Sequence, residues 1–379
     1  MTRVLNLISD TNIGGAGRVI LNYLRYADRS QFETLAAVPR GSLLKAPLEE
    51  AGARVYEVDA MADRSYDRGD VAVLKALIDR VGPDLVHTHG ALSGRIAARR
   101  LGVPVVYSRH SAFPVPAKLR YPPGRWVNQW VNQHYADRII AVSPAARQNL
   151  VDGGINPDKI TVVMNGTAPV PRTDPEEREA LRKELDLPRE AVVFGILARL
   201  EDYKGHLYLI RAARILKDRG VSGFRVLIAG TGSYEEQVAR AVRELEVGDV
   251  VKLLGFRSDV GALLNLLDVQ LNASYGTEAT SMALLEGMSL GLPTIASDYG
   301  GNPWVVKDGE TGLIFPSRDD AALADAMERL IQNPEERAAM GRRALELYEH
   351  EFTGEIFARR VEDVYRQVLK GAQHGTKHT

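Results

Sequence analysis

The same alternation runs twice through this sequence. Short β-branched segments are each followed by a stretch of helical periodicity, and the series is broken once, at 166–175 (GTAPVPRTDP). Before the break the strand-like segments fall at 4–8, 34–38, 85–88, 103–108, 138–142 and 160–163. After it they fall at 192–197, 225–229, 250–254, 269–272, 294–296 and 312–314. Alternation of this kind builds βαβ units, and therefore parallel sheets covered by helices on both faces. The break carries three prolines and no apolar period, the mark of a boundary between domains. A length of 379 residues with 45% hydrophobic and 26% charged composition suits two such domains, each with its own core. The tail from 371 onward is polar and is expected to be irregular.

Several chemistries drop out at once. The chain has no cysteine, which excludes disulfides, thiolate metal sites and cysteine nucleophiles. The first residues, MTRVLNLISD, hold no apolar run of signal-peptide length, and no window offers the ~18 apolar residues of a membrane span. The expectation is a cytoplasmic protein, at most peripheral on the inner face of the membrane. Net charge is −1 but unevenly divided: residues 1–170 hold 21 Lys and Arg against 15 Asp and Glu. A basic half of this kind suits an anionic partner, or is simply a solvated surface.

In open parallel sheets, ligands meet the loops beyond the carboxyl ends of the strands. The first of these loops is Asn12-Ile13-Gly14-Gly15-Ala16-Gly17-Arg18. Glycines there let a ligand approach the backbone, and the following helix start offers free N–H groups to an anion. Neither the spacing nor the second strand, which lacks a closing acid, fits a dinucleotide fingerprint. A turn needed only for packing is the other reading. His87 and His89 end the third segment (DLVHTHG) and His110 ends the next (VVYSRHSAF). Histidines at such ends bind metals or hydrogen-bond hydroxyls. His110, followed by small residues and prolines, is the one expected to face a ligand, and His87 is expected to be structural.

In the second half the first strand opens into Arg199-Leu200-Glu201-Asp202-Tyr203-Lys204-Gly205. An arginine fork and a lysine point charge five residues apart can converge on one diphosphate. Further on, Asn272 ends a strand, Glu278 lies in the loop, and a helix is expected from Thr280 or Ser281 with a hydroxyl cap. Glu286 falls about one and a half turns into that helix. Carboxylates accept paired hydrogen bonds from vicinal diols, so the two glutamates can bracket a ligand with a sugar at each end and phosphates between.

Taken together, these residues resemble the retaining glycosyltransferases of family 4, over nearly the whole chain. GGAGR at 14–18, DLVHTHG at 84–90, AVSPAARQNLVDGG at 141–154, Met164-Asn165-Gly166, ARLEDYKG at 198–205 and the pair Glu278/Glu286 are similar to that family's motifs. The resemblance implies the GT-B fold, two Rossmann-like domains facing each other across a cleft. Residues 1–168 would form the acceptor domain, with 355–372 crossing back onto it, and 172–354 the nucleotide-sugar domain. It implies that Arg199 and Lys204 hold the donor diphosphate, that Glu286 binds the ribose, and that Glu278 binds the sugar. Gly14 and Gly15 would meet the donor phosphate, as would the backbone of Thr280, Ser281 and Met282. His110 would contact the transferred sugar, and Phe256-Arg257 the nucleobase. Ala279-Thr280-Ser281 and Ala198 depart from the family's glycine-rich pattern.

The implied reaction is sugar transfer with retention, from a UDP-sugar or alternatively a GDP-sugar, in polysaccharide or glycolipid synthesis. No cofactor beyond that co-substrate is expected, and, with no Asp-x-Asp in the chain, no metal. The acceptor would be a glycan or lipid-linked molecule, and no nucleic acid partner is expected. Residues 116–131 combine Lys118, Arg120 and Arg125 with Trp126 and Trp130 on one helical face. That segment either rests on an anionic membrane or packs into the core; core packing is the plainer expectation. A nucleotide-sugar epimerase of similar fold and a non-catalytic sugar-binding subunit are the alternative functions.

Overall fold

The computed structural model describes residues 1–113 and 115–375. Pro114 and the end of the polar tail at 376–379 lie outside the described residues. The chain divides into two units. One comprises Met1–Gly166 together with the chain from Gly354 onward; the other is Thr167–Thr353.

The first unit is built on seven parallel strands: β1 (Thr2–Ile8), β2 (Phe32–Pro39), β3 (Arg54–Val58), β4 (Leu85–His89), β5 (Val105–Arg109), β6 (Arg138–Ala141) and β7 (Ile160–Val162). Their spatial order is β3-β2-β1-β4-β5-β6-β7. Helices cover both faces, so the central strands are buried on both: Val4, Leu5, Leu7 and Ile8 of β1 are all buried, and so is the polar Asn6 between them. β3 is not among the strands expected from the sequence. As the outermost strand it needs no apolar run, and RVYEV leaves Arg54 exposed and its next three residues half-buried.

The second unit repeats the plan with six strands: β8 (Val192–Leu197), β9 (Phe224–Ala229), β10 (Val251–Gly255), β11 (Val269–Asn272), β12 (Thr294–Ser297) and β13 (Gly312–Phe315). Their order is β10-β9-β8-β11-β12-β13. Phe194, Phe224, Leu209 and Leu271 belong to the apolar cluster that holds its helices to the sheet. In both sheets the chain first winds outward to one side and then crosses back to the other. That reversal lies between β1 and β4 and between β8 and β11, and loops diverging from a reversal leave a crevice at the carboxyl ends.

The helix Gly354–Gly375 belongs to the first unit. Its Tyr365 is fully buried, packs edge-on to Tyr23 and Phe32, and places its hydroxyl 2.7 Å from His87 Nδ1. The helix continues through Gly371, so the tail is regular further than its polar composition suggests. The core-packing expectation for 116–131 does not hold. The helix Gly124–Tyr135 turns Asn132 inward and leaves Trp126 and Trp130 64% and 56% exposed. Asn132 is held there by Arg95 and by the Asn128 carbonyl, so polar contacts fix the inner face.

Candidate active site

The reversal in the second sheet brings together residues 74 positions apart. β8 runs into the Arg199–Lys204 loop and β11 into the Glu278 loop, and Lys204 Nζ lies 2.8 Å from Glu278 Oε2. Both side chains are largely shielded from water. Ser274 Oγ donates to the same Oε2 at 2.9 Å and Asn272 Nδ2 at 3.3 Å; Oε1 carries none of these bonds. Burial alone would push the Glu278 pKa up. The Lys204 charge and the hydrogen bonds from Lys204, Ser274 and Asn272 outweigh it and hold the group below the usual carboxylate range. Glu278 is therefore a fixed anion with one oxygen committed to the protein.

The backbone sets this geometry. Gly205, at φ +76°, would place a Cβ 2.0 Å from the Ala273 carbonyl, so only glycine lets the Lys204 loop sit against the end of β11. Gly301 N–H donates to the Glu278 carbonyl at 3.1 Å, and a Cβ there would collide with the Ala279 carbonyl. Thr277, a β-branched residue at φ +58°, turns the chain just before Glu278 and stores strain at that point. The helix after the loop is Met282–Ser289. It begins one residue later than expected, and Ser281 at its cap makes no side-chain capping bond. Ser281 thus does not supply the expected hydroxyl cap, and Thr280 just before it is buried.

The remaining predicted residues of this unit are placed as follows. Arg199 is exposed and donates from Nη2 to the Tyr203 hydroxyl at 2.9 Å. Glu286 is half-buried within the helix. Phe256 is 76% exposed. Arg257 is committed to two carboxylates, gripping Asp259 through Nε and Nη2 and Glu184 through Nη1. Any part it takes at a nucleobase must leave those bonds in place.

In the first unit, Gly14 precedes the helix Gly15–Tyr26 without a side-chain cap. Space is open around Gly15, whereas Gly17 packs where a Cβ would meet Leu44 at 2.5 Å. The glycine loop therefore serves both readings, one glycine for packing and another for open access. Three histidines meet at the ends of β4 and β5. His87 is bonded on both ring nitrogens, to Tyr365 and to Ser108, which makes it structural. His89 joins Asn6 to His110: its Nε2 lies 3.1 Å from Asn6 Oδ1 and its Nδ1 2.8 Å from His110 Nε2. Asn6 turns its amide nitrogen to the Leu35 carbonyl, so its oxygen must accept from His89 Nε2–H. His89 Nδ1 then accepts from His110 Nε2–H, and His110 is left with a lone pair on Nδ1. That buried Nδ1 has no hydrogen-bond partner among the described residues. Burial pushes the His110 pKa down to about 4, keeping the ring neutral.

The family model for glycosyltransferase family 4 matches residues 13–169, and that for glycosyl transferases group 1 matches 177–347. The D-inositol 3-phosphate glycosyltransferase of Kineococcus radiotolerans is 30% identical over 324 residues, 76% of this chain and 74% of the relative. The chain belongs to glycosyltransferase family 4. Its fold is also that of solved glycosyltransferases. HepE of Anabaena, determined with UDP, superposes with a TM-score of 0.83 at 20% identity, over 97% of this chain and all of that one. A glycosyltransferase of Rickettsia africae gives 0.86 at 19% identity, over 97% and 99%. The architecture is GT-B, as the motifs imply.

In this family 4 glycosyltransferase the Glu278 loop is also held by residues that the sequence motifs pass over. Ser274 and Asn272 hold Glu278, while Ser297 Oγ donates to the Ser274 carbonyl of the same loop and in turn accepts from Asn302 Nδ2 at 3.1 Å. Gly300-Gly301 just after β12 is the visible signal, since paired glycines at a strand end mark a close backbone approach. Tyr203, which fixes Arg199, gives no such signal.

Proposed function

We propose that this family 4 glycosyltransferase is a retaining hexosyltransferase. It takes its sugar from a nucleoside-diphosphate donor, UDP-sugar before GDP-sugar, and passes it to a hydroxyl of a glycan or lipid-linked acceptor in cell-surface polysaccharide or glycolipid synthesis. The buried Lys204–Glu278 pair at the β8/β11 reversal carries this reading. A cation there serves a leaving diphosphate, and a fixed carboxylate with a spare oxygen serves sugar hydroxyls. In this reading 172–354 holds the donor and 1–168 the acceptor. Glu286 takes the ribose, the N–H groups at Thr280–Met282 take phosphate, and His110 Nδ1 accepts from a sugar hydroxyl. Phe256 meets the base. The acceptor oxygen attacks the anomeric carbon on the face from which the diphosphate departs, and a donor phosphate oxygen receives its proton. Catalysis is positioning together with stabilisation of the departing diphosphate. The UDP choice is supported by the UDP and UDP-glucose complexes of HepE.

The test is a thermal-shift screen of UDP- and GDP-sugars followed by transfer assays on the ligand that stabilises. A donor at 100 times its dissociation constant adds ~2.7 kcal/mol of stability. The product is expected to keep the donor's anomeric configuration, and a chelator is expected to leave the rate unchanged. An inverted product or a chelator-silenced enzyme refutes the mechanism, and catalysis of epimer formation without acceptor supports the epimerase instead.

A peripheral membrane contact through 116–131 forms part of the same proposal. Trp126 and Trp130 are exposed on one face of their helix, and Lys118, Arg120 and Arg125 are exposed around them. Aromatic rings at the interface and basic side chains against headgroups are what an anionic bilayer retains. Vesicles containing phosphatidylglycerol are expected to sediment the protein at low salt and to release it at high salt. Trp126→Ser with Trp130→Ser is expected to abolish sedimentation; unchanged sedimentation removes this surface from the proposal.

A further inference from the structure

The first unit contains a polar pocket of about 480 Å3 at the carboxyl ends of β1, β4 and β5, reaching under the helix Gly124–Tyr135. Three arginines line it. Arg64 is neutralised by Asp70, which it grips through Nε and Nη2 at 2.9 and 2.6 Å. The other two are not neutralised. Arg95, on the helix Leu92–Arg100, is only 5% exposed. Its Nη1 donates to Asn132 Oδ1 at 2.9 Å, and its guanidinium lies 4.2 Å from the centre of the Tyr107 ring. Its buried Nε has no hydrogen-bond partner among the described residues. Arg109 lies two residues after Tyr107, on the same face of β5, and donates from Nε to the Ser111 carbonyl at 3.3 Å. Neither Arg95 nor Arg109 pairs with a carboxylate among the described residues.

A buried charge is ordinarily paired, because its desolvation is costly. Arginine cannot escape that cost by losing its proton. Burial pushes the Arg95 pKa down, the neighbouring Tyr107 counters it in part, and the like charge of Arg109 adds to the fall. Asp10 and Asp63 line the same pocket, and burial with the neighbouring Asp63 pushes the Asp10 pKa up. The pocket thus joins two arginines that no carboxylate neutralises with acidic groups suited to hydroxyl donors.

We propose that this pocket is the acceptor site and that Arg95 and Arg109 bind a phosphate ester whose polyol hydroxyls face Asp10 and Asp63. The phosphate supplies the charge that Arg95 and Arg109 lack. Two guanidiniums match its oxygens in the paired geometry that lysine does not offer. The size falls within the range of small-molecule sites. The inference rests on the glycosyltransferase reading for the word acceptor, but not for the anion.

The test titrates the whole protein, with its donor site saturated by UDP, with glycerol 3-phosphate, with glycerol, and with vesicles containing phosphatidic acid. Glycerol 3-phosphate is expected to bind and glycerol not. Arg109→Gln is expected to weaken that binding about tenfold or more, leaving UDP affinity unchanged. Arg95→Met, which keeps the stem against Tyr107, is expected to do the same; if it fails to fold, Arg109→Gln decides alone. Binding confined to vesicles and lost in Arg109→Gln assigns the phosphate to a lipid headgroup and upholds the site. Absence of binding in both arms, or equal binding by the wild type and Arg109→Gln, overturns it. Should UDP itself fail to bind, the donor reading falls, and the glycerol 3-phosphate titration still decides the anion site separately.

Discussion

Lys204→Ala is expected to lower kcat/KM by about 10²- to 10³-fold, the loss typical when one preorganised charge facing a developing anion is removed. The same change leaves the Glu278 carboxylate 6% exposed with only Ser274 and Asn272 as donors. Without the lysine, burial dominates and the Glu278 pKa rises, so residual activity is expected to decline at a higher pH than in the wild type. Breaking a buried pair costs about 3–5 kcal/mol of stability, whereas replacing both members by neutral groups is often close to neutral. A Lys204→Met/Glu278→Gln double variant separates the two roles. It is expected to regain stability while transfer stays lost. If Glu278→Gln or Lys204→Ala alone transferred sugar at near wild-type rates, the pair would be structural and the site assignment wrong.

Acidification is expected to destabilise the protein steeply between about pH 6.5 and 5. Burial pushes the pKa of His110 and His206 down to about 4 and that of His87 to about 3, and holds His89 well below the ordinary value. The unfolded chain binds these protons near pH 6.5, so between the two values it holds more protons than the folded chain. Stability then rises with pH across that window and is fully present only above it. Each histidine contributes a slope of up to about 1.4 kcal/mol per pH unit. Glu278, held low, loses its contribution only at more acid pH, whereas Asp10 and Glu362, held above the usual carboxylate range chiefly by burial, bind protons before the unfolded chain does and oppose the fall. Urea midpoints at pH 7.5, 6 and 5 read the effect. His206→Leu is expected to flatten the fall, because neither His206 ring nitrogen has a partner among the described residues. Equal midpoints across the window would contradict it.

How far the sequence reveals this molecule depends on whether a feature is local. β1, β8 and β11 are legible because short, mostly apolar, β-branched segments followed by a loop and a helical period need no distant partner to be recognised. β3 escapes because an outer strand with Arg54 and Glu57 looks like a solvated turn. The functional residues are legible singly and illegible as a set. Lys204 and Glu278 read as two contacts on different parts of one ligand, and only the β8/β11 reversal shows that they hold each other. Arg95 is the sharper case. A basic residue in the helix run LSGRIAARR looks like surface, and its burial follows from Tyr107 and Asn132, which come from elements that sequence periodicity does not bring together. Trp126 and Trp130 fail in the opposite direction, since aromatic spacing suited to a core instead faces outward.

The placement of Tyr365 has a consequence for biosynthesis. The ribosome produces the seven strands of the first unit before the second unit, but the residue that seals His87 and packs on Tyr23 and Phe32 emerges only after the second unit has been made. The second unit is continuous from Thr167 to Thr353 and can close while Gly354–Gly375 is still being made. The part synthesised first is therefore the part completed last, and its apolar surface must be kept from other nascent chains throughout that interval.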